Sequence, residues 1–161
     1  MIIGIDIGLN GAIVGINKAG QAAEKHLMPT IGNTLNISEL NKLLLRLRKN
    51  IDHVFIEKVS SMPKQGVAST FKFGKLAGIV EGLITSHGLK FTLVAPQTWQ
   101  KEIFEGIDKK NLNPKQRALT AVHRLFPNID LRASDRCKVQ HDGLVDALLI
   151  AEYGRRKMLR D

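Results

Sequence analysis

A single cysteine, Cys137, stands among the 161 residues, which excludes an internal disulfide and any zinc site built from several cysteines. Long apolar runs are missing too. Stretches such as Ile2-Ile3 and Leu43-Leu44-Leu45 are far too short to cross a bilayer, so no membrane partner is expected. The first apolar stretch carries Asp6, and no basic, apolar, small-residue series of the secretory kind opens the chain. Repeats, low-complexity tracts and linker-like stretches are absent, so one domain over residues 1–161 is the simplest organisation. Acidic residues are in short supply: 15 Asp and Glu against 24 Lys and Arg give a formal charge of +9. Such a surplus favours a polyanionic partner, because each phosphate neutralised releases condensed counterions. The basic residues are spread along the chain and only Arg155-Arg156-Lys157 forms a tight run. That is the pattern of a folded basic face rather than a disordered tail.

What is present alternates between strand and helix signals. Residues 1–16 read as two strands, with Ile2, Ile3, Ile5 and Ile7 in the first and Leu9-Asn10-Gly11 as the turn. A second turn at residues 18–21 leads into a weaker strand that ends before Pro29. From Ser38, the spacing of Leu40, Leu43, Leu44 and Leu47 predicts an amphipathic helix. Residues 53–57 read as a short buried strand, and residues 60–66 as a polar loop with Pro63 and Gly66. A long helix is expected over residues 67–87, stopped by Gly88, with Gly74 and Gly78 marking a face that another element can approach closely. Residues 90–94 resemble a strand and Pro96 can open a short helix. A polar loop follows over residues 105–114, then a helix over 115–126, a basic loop over 127–140 and a final helix over 141–156. Strands first, then strands alternating with helices, predict an α/β layered sheet.

Four carboxylates stand where a charge is costly. Asp6 lies inside the strand pattern Ile3-Gly4-Ile5-Asp6-Ile7-Gly8, and Glu57 ends the apolar run Val54-Phe55-Ile56. Asp142 and Asp146 are four apart at the start of the last helix, so their side chains share one helical face. Buried carboxylates either raise their pKa or acquire a counter-charge, and a pair of Mg²⁺ ions is one such counter-charge, since hard cations take carboxylate, water and phosphate oxygens. Each residue also has a plainer reading. Asp6 can serve a turn, Asp142 can cap its helix, and Glu57 can pair with Lys58 or Lys64. Phe71 and Phe73, two apart on a helix, point in different directions: Phe73 is expected in the core, while Phe71 can stack on an unpaired base. Trp99 reads as a packing residue.

Taken in order, Ile2-Ile3-Gly4-Ile5-Asp6-Ile7-Gly8, Val54-Phe55-Ile56-Glu57, Phe73-Gly74-Lys75-Leu76-Ala77-Gly78, Val94-Ala95-Pro96 with Trp99 and Lys101, and the run His141-Asp142-Gly143-Leu144-Val145-Asp146-Ala147 resemble the RuvC family of Holliday junction resolvases, especially its short phage-like and organelle-like branch. The resemblance covers nearly the whole chain. It implies an RNase H-like mixed sheet, with an antiparallel three-strand meander followed by parallel strands and flanked by helices. It further implies a homodimer that cuts four-way DNA junctions by paired two-metal hydrolysis, leaving 5′-phosphate and 3′-hydroxyl ends. Asp6 becomes the carboxylate bridging two Mg²⁺ ions (Mn²⁺ substituting), with Glu57, Asp142 and Asp146 completing the site. The resemblance also implies basic residues near the scissile phosphate, for which Lys101 and Lys115 are the nearest matches and Lys115 the expected catalytic one, and Lys58, Lys64, Phe71, Lys101 and Lys115 are the expected DNA contacts. Many family members space the last two acidic positions three apart, and some carry histidine at the earlier one. Here the spacing is four with His141 adjacent, so His141 stays open as the alternative to Asp142. The residues after Glu57 are Lys58-Val59-Ser60-Ser61-Met62, where some relatives carry an aromatic wedge. The expected setting is a bacterial cytoplasm or nucleoid, phage-encoded or not, or an organelle matrix. The alternatives are an RNase H-type nuclease acting on RNA–DNA hybrids and a module that binds branched DNA without cutting it. An actin-like ATPase or sugar kinase, suggested by the Gly4–Gly8 opening, needs a second lobe for which this length leaves little room.

Overall fold

The computed structural model describes residues 1–58 and 66–160. A five-stranded sheet is built from β1 (Ile2–Asp6), β2 (Ala12–Ile16), β3 (Ala22–Leu27), β6 (His53–Glu57) and β7 (Phe91–Val94), in the order β3-β2-β1-β6-β7. The first three strands form the antiparallel meander, while β6 runs parallel to β1 and β7 parallel to β6. Between β3 and the first helix the chain folds a small hairpin, β4 (Thr30–Ile31) with β5 (Thr34–Leu35), which forms a separate two-stranded sheet. The sequence reading left this segment as connection, because two residues per strand give no periodicity to detect.

The helices are α1 (Ile37–Leu47), α2 (Val67–Ser86), α3 (Pro96–Ile103), α4 (Pro114–Leu125) and α5 (Asp142–Arg160). Strand alternation divides the apolar side chains between two cores. Ile3, Ile5, Ile13, Val54 and Ile56 point to one side, where Leu40, Leu44, Val80 and Ile84 of α1 and α2 cover them. Ile2, Val14, Ile16 and Phe55 point to the other, against α3, α4 and the almost wholly buried middle of α5. Because side chains alternate with period two, Asp6 and Glu57 fall on the same face as Ile2 and Phe55, the face that α5 crosses.

That crossing is close. A Cβ added to Gly4 would lie 2.1 Å from the carbonyl oxygen of Ala147 and 2.4 Å from the amide nitrogen of Ala151. Backbone atoms cannot swing aside as a side chain can, so the sheet and helix would have to separate. Gly4→Ala is expected to cost about 3 kcal/mol or more, at the upper end of overpacking penalties. For a chain of this length that lowers Tm by roughly 6–12 °C. Thermal melts of the variant check it, and a Tm within a degree or two of wild type would refute the close packing.

One expectation about α2 needs correction. Phe73, expected in the core, is 37 % exposed, because the first nine residues of the helix lie almost free of the domain and burial begins at Leu76. Among the described residues nothing packs on the Gly74–Gly78 face: a Cβ built at Gly74, Gly78 or Gly82 has no neighbour within 4 Å there.

Candidate active site

The parallel register pairs Ile5 with Ile56; continued by one residue it sets Asp6 beside Glu57 at the carboxyl ends of β1 and β6. The first turn of α5 then rests on the β1–β2 turn. A Cβ at Gly143 would come 2.4 Å from the Asn10 carbonyl oxygen, so only glycine lets the helix sit this low. The result brings Asp142 and Asp146 to the strand ends. Two of these carboxyls, Asp6 and Asp146, feel the charges of their acidic neighbours. Burial first, then the charges of Asp146, Glu57 and Asp142, push Asp6 up to about 7. Burial first, then Glu57 and Asp142, push Asp146 up to about 7 against the pull of Lys115. The Asp6–Asp146 repulsion is mutual and holds back whichever group ionises second. Glu57 is raised by burial and partly relieved by an indole hydrogen bond, in which Trp99 Nε1 donates to Glu57 Oε1 at 2.9 Å.

Asp142 is the first residue of α5 rather than a residue preceding it. Its carboxylate takes a short hydrogen bond from the Lys115 ammonium, and that contact and charge raise the lysine's pKa. Both side chains are well exposed, so the pair adds little to stability. His141 precedes it with a buried Nδ1 that has no hydrogen-bond partner among the described residues.

The remaining expected residues are scattered more widely. Lys58 follows β6, exposed, with its backbone N–H donating to Val94 O at 2.8 Å. Lys101 lies exposed in the last turn of α3. Neither contributes to the shifts of the acidic group, as Lys115 does. Lys64 and residues 59–62, which hold most of the expected wedge segment, lie outside the described residues. Phe71 is 72 % exposed and lines a cleft of about 1050 Å³ whose walls also include Asp6 and Asp142. The hairpin residues Asn33, Thr34 and Leu35 border the cleft as well, and Phe71, Lys72, Phe73 and Lys75 of α2 belong to its lining.

Sequence reasoning missed the hairpin, Lys72, Lys75 and the Trp99 bond. A signal for the last existed: Val94 pairs with Glu57 across parallel strands, and Trp99 follows it by five residues in the helix opened by Pro96.

Among the described residues no three His, Cys, Asp or Glu side chains close on one point as a ready-made cage. The chemistry of the donors nevertheless fits a hard divalent cation. All four are carboxyls, two are held near pH 7 by burial and mutual repulsion, and a cation would relieve both causes.

This sheet, with its meander, its parallel strands and its covering helices, is the RNase H-like fold. Within that fold the chain is similar to RuvC. No family model matches the chain, and no curated protein matches it. Thermus thermophilus RuvC superposes with a TM-score of 0.65 at 17 % identity, covering 99 % of this chain and 96 % of that one. The same protein in complex with Holliday junction substrate gives 0.64 at 17 % identity, over 98 % and 94 %. The yeast mitochondrial Holliday junction resolvase Ydc2 gives 0.61 at 15 % identity, over 99 % of this chain and 79 % of its own.

Proposed function

We propose that this chain is a divalent-metal-dependent endonuclease that resolves four-way DNA junctions. The observation that carries the reading is the acidic group at the ends of β1 and β6 and the start of α5, set in the fold of a protein solved with a Holliday junction bound. Asp6, Glu57 and Asp146, with Asp142 or the adjacent His141 as the fourth group, would hold Mg²⁺ or Mn²⁺. Bound there, two such ions supply a nucleophilic water at neutral pH and stabilise the leaving 3′ oxygen. The chain's own residues do the rest. Lys115, on the rim and raised in pKa, stays cationic and can exchange Asp142 for a phosphate oxygen. Lys58 and Lys101, together with Lys64, extend the basic face along the DNA, and Phe71 offers a ring to an unpaired base beside the carboxyls. A charge of +9 supports backbone contact without sequence reading. Two opposite strands must be cut, and a two-fold dimer matches a two-fold junction. The open Gly74–Gly78–Gly82 face of α2 is the surface proposed for it. The cell interior or an organelle matrix is the proposed setting.

The test is incubation with an end-labelled synthetic junction, a linear duplex and an RNA–DNA hybrid, in Mg²⁺, Mn²⁺ or EDTA. Paired nicks on opposite junction strands are expected in either metal and none in EDTA, with products that a DNA ligase reseals because they carry 5′ phosphate and 3′ hydroxyl. Cutting of the hybrid but not the junction would transfer the protein to the RNase H type. Tight junction binding without cutting in either metal would leave a binding module.

A further inference from the structure

We infer that Trp99 is a positioning residue for the acidic site: its indole N–H fixes the Glu57 carboxylate without neutralising it. The inference rests on the metal-site reading above. Both ends of the contact are tied down. Glu57 ends a strand flanked by β1 and β7, paired with Val94, and the Lys58 N–H to Val94 O bond at 2.8 Å holds the register past it. Directly after Val94, Ala95 and Pro96 begin α3, so the chain turns from the neighbouring strand into a helix that carries Trp99 back over Glu57.

The indole has nowhere else to go. It is 1 % exposed and packs edge-on against Phe104, with centroids 5.6 Å apart and planes at 73°. A buried indole N–H needs an acceptor, and the Glu57 Oε1 atom at 2.9 Å is the one it finds. Core packing alone does not account for this, since a phenyl ring would fill much of the space without bringing a donor to a half-buried carboxylate.

The choice of donor matters. Asp142 is held by a lysine, whose charge cancels its own. Trp99 is neutral, so it restricts the rotation of Glu57 and occupies one oxygen while the negative charge remains for a cation, with Oε2 as the second oxygen. Groups that orient a metal-binding side chain in this way commonly change metal affinity when removed.

Trp99 is the only tryptophan in the chain, which makes it selectively replaceable and visible. Two variants remove the donor: Trp99→Phe, and biosynthetic replacement of tryptophan by its benzothienyl analogue, which keeps the two-ring shape with sulfur in place of N–H. Isothermal titration with Mn²⁺ on the DNA-free protein is expected to show affinity about tenfold weaker in both, the lower end for loss of an orienting partner. The Mn²⁺ concentration for half-maximal junction cleavage should rise by the same factor, with the rate recovered at saturating metal. In a Glu57→Ala background, where the acceptor is gone, the analogue should cause no further loss. In wild type, the single indole N–H resonance should shift as Mn²⁺'s diamagnetic counterpart Mg²⁺ is added.

Unchanged Mn²⁺ affinity in the benzothienyl protein would overturn the inference while leaving the metal site intact. An equal loss in the Glu57→Ala background would overturn it too, since the ring would then act through packing. A wild-type protein that binds neither ion overturns the metal-site reading itself and this inference with it.

Discussion

Asp6→Asn is expected to slow junction cleavage by roughly a thousandfold or more while junction binding stays within a factor of a few. The reason is position. Asp6 is the carboxyl on which Asp146, Glu57 and Asp142 all act, so it stands between the strand side of the site and the helix side. The amide keeps its shape and removes its charge, which takes away the donor that both sides would share. Divalent-metal chemistry commonly supplies several kcal/mol of transition-state stabilisation, and losing about 4 kcal/mol corresponds to roughly three powers of ten in rate. Binding should behave differently. It draws on Lys and Arg spread over the chain, and one less negative charge near a phosphate does not oppose it. Single-turnover cleavage in Mg²⁺, beside gel-shift titrations in Ca²⁺, separates the two. Cleavage within tenfold of wild type would place the chemistry elsewhere. If cutting and binding fell together, Asp6 would be a folding or docking residue instead.

The order of the elements was readable because the patterns that specify it are local. Alternating isoleucines at residues 2–7, helical leucine spacing at 40–47 and the run around Glu57 each bury one face, and burial is what period two and period 3.6 encode. Asp6, Glu57, Asp142 and Asp146 stood out on the same ground, as charges inside apolar patterns. Their meeting was less accessible, since it depends on Gly4 and Gly143, whose missing side chains let α5 lie against β1 and the β1–β2 turn. A glycine in a sequence does not say what approaches it. Phe73 was misread for a related reason: helical phase predicts direction, but not whether anything stands on that side, and residues 67–75 at the start of α2 are largely exposed. Trp99 was recognised as buried, yet the partner of its N–H follows only from the β6–β7 register.

Without divalent ions, the protein is expected to lose stability as pH rises from about 4 to 7.5, opposite to the usual acid lability. Asp6 and Asp146 have ordinary values of 3.8 and reach about 7 in the folded chain. Between those limits the folded state keeps protons that the unfolded chain has released, so unfolding gives up protons and stability falls with rising pH. Three units on one group amount to about 4 kcal/mol. The two groups share part of that through their mutual repulsion, so the pair contributes on the order of 4 kcal/mol rather than twice as much. Below pH 4 the sign reverses. Asp130, held down by Arg132, and Asp52, held down by the N-terminus, contribute stability that is lost as they protonate. The metal-free optimum should therefore lie near pH 4. At pH 7.5 in EDTA, Asp6→Asn or Asp146→Asn should raise Tm by roughly 5–10 °C, at about 2–4 °C per kcal/mol for a chain of this size. Mg²⁺ should stabilise wild type at the same pH, by about 2.7 kcal/mol at a hundred times its Kd, and should leave an Asp6→Asn/Asp146→Asn double variant nearly unmoved. Thermal melts between pH 4.5 and 8, with and without Mg²⁺, give all of this in one series. A wild-type Tm in EDTA that is as high at pH 7.5 as at pH 5 would mean that the carboxyls do not repel one another in the folded chain. The electrostatic case for a cation at this site would then be lost, because the strain that a cation relieves would not exist.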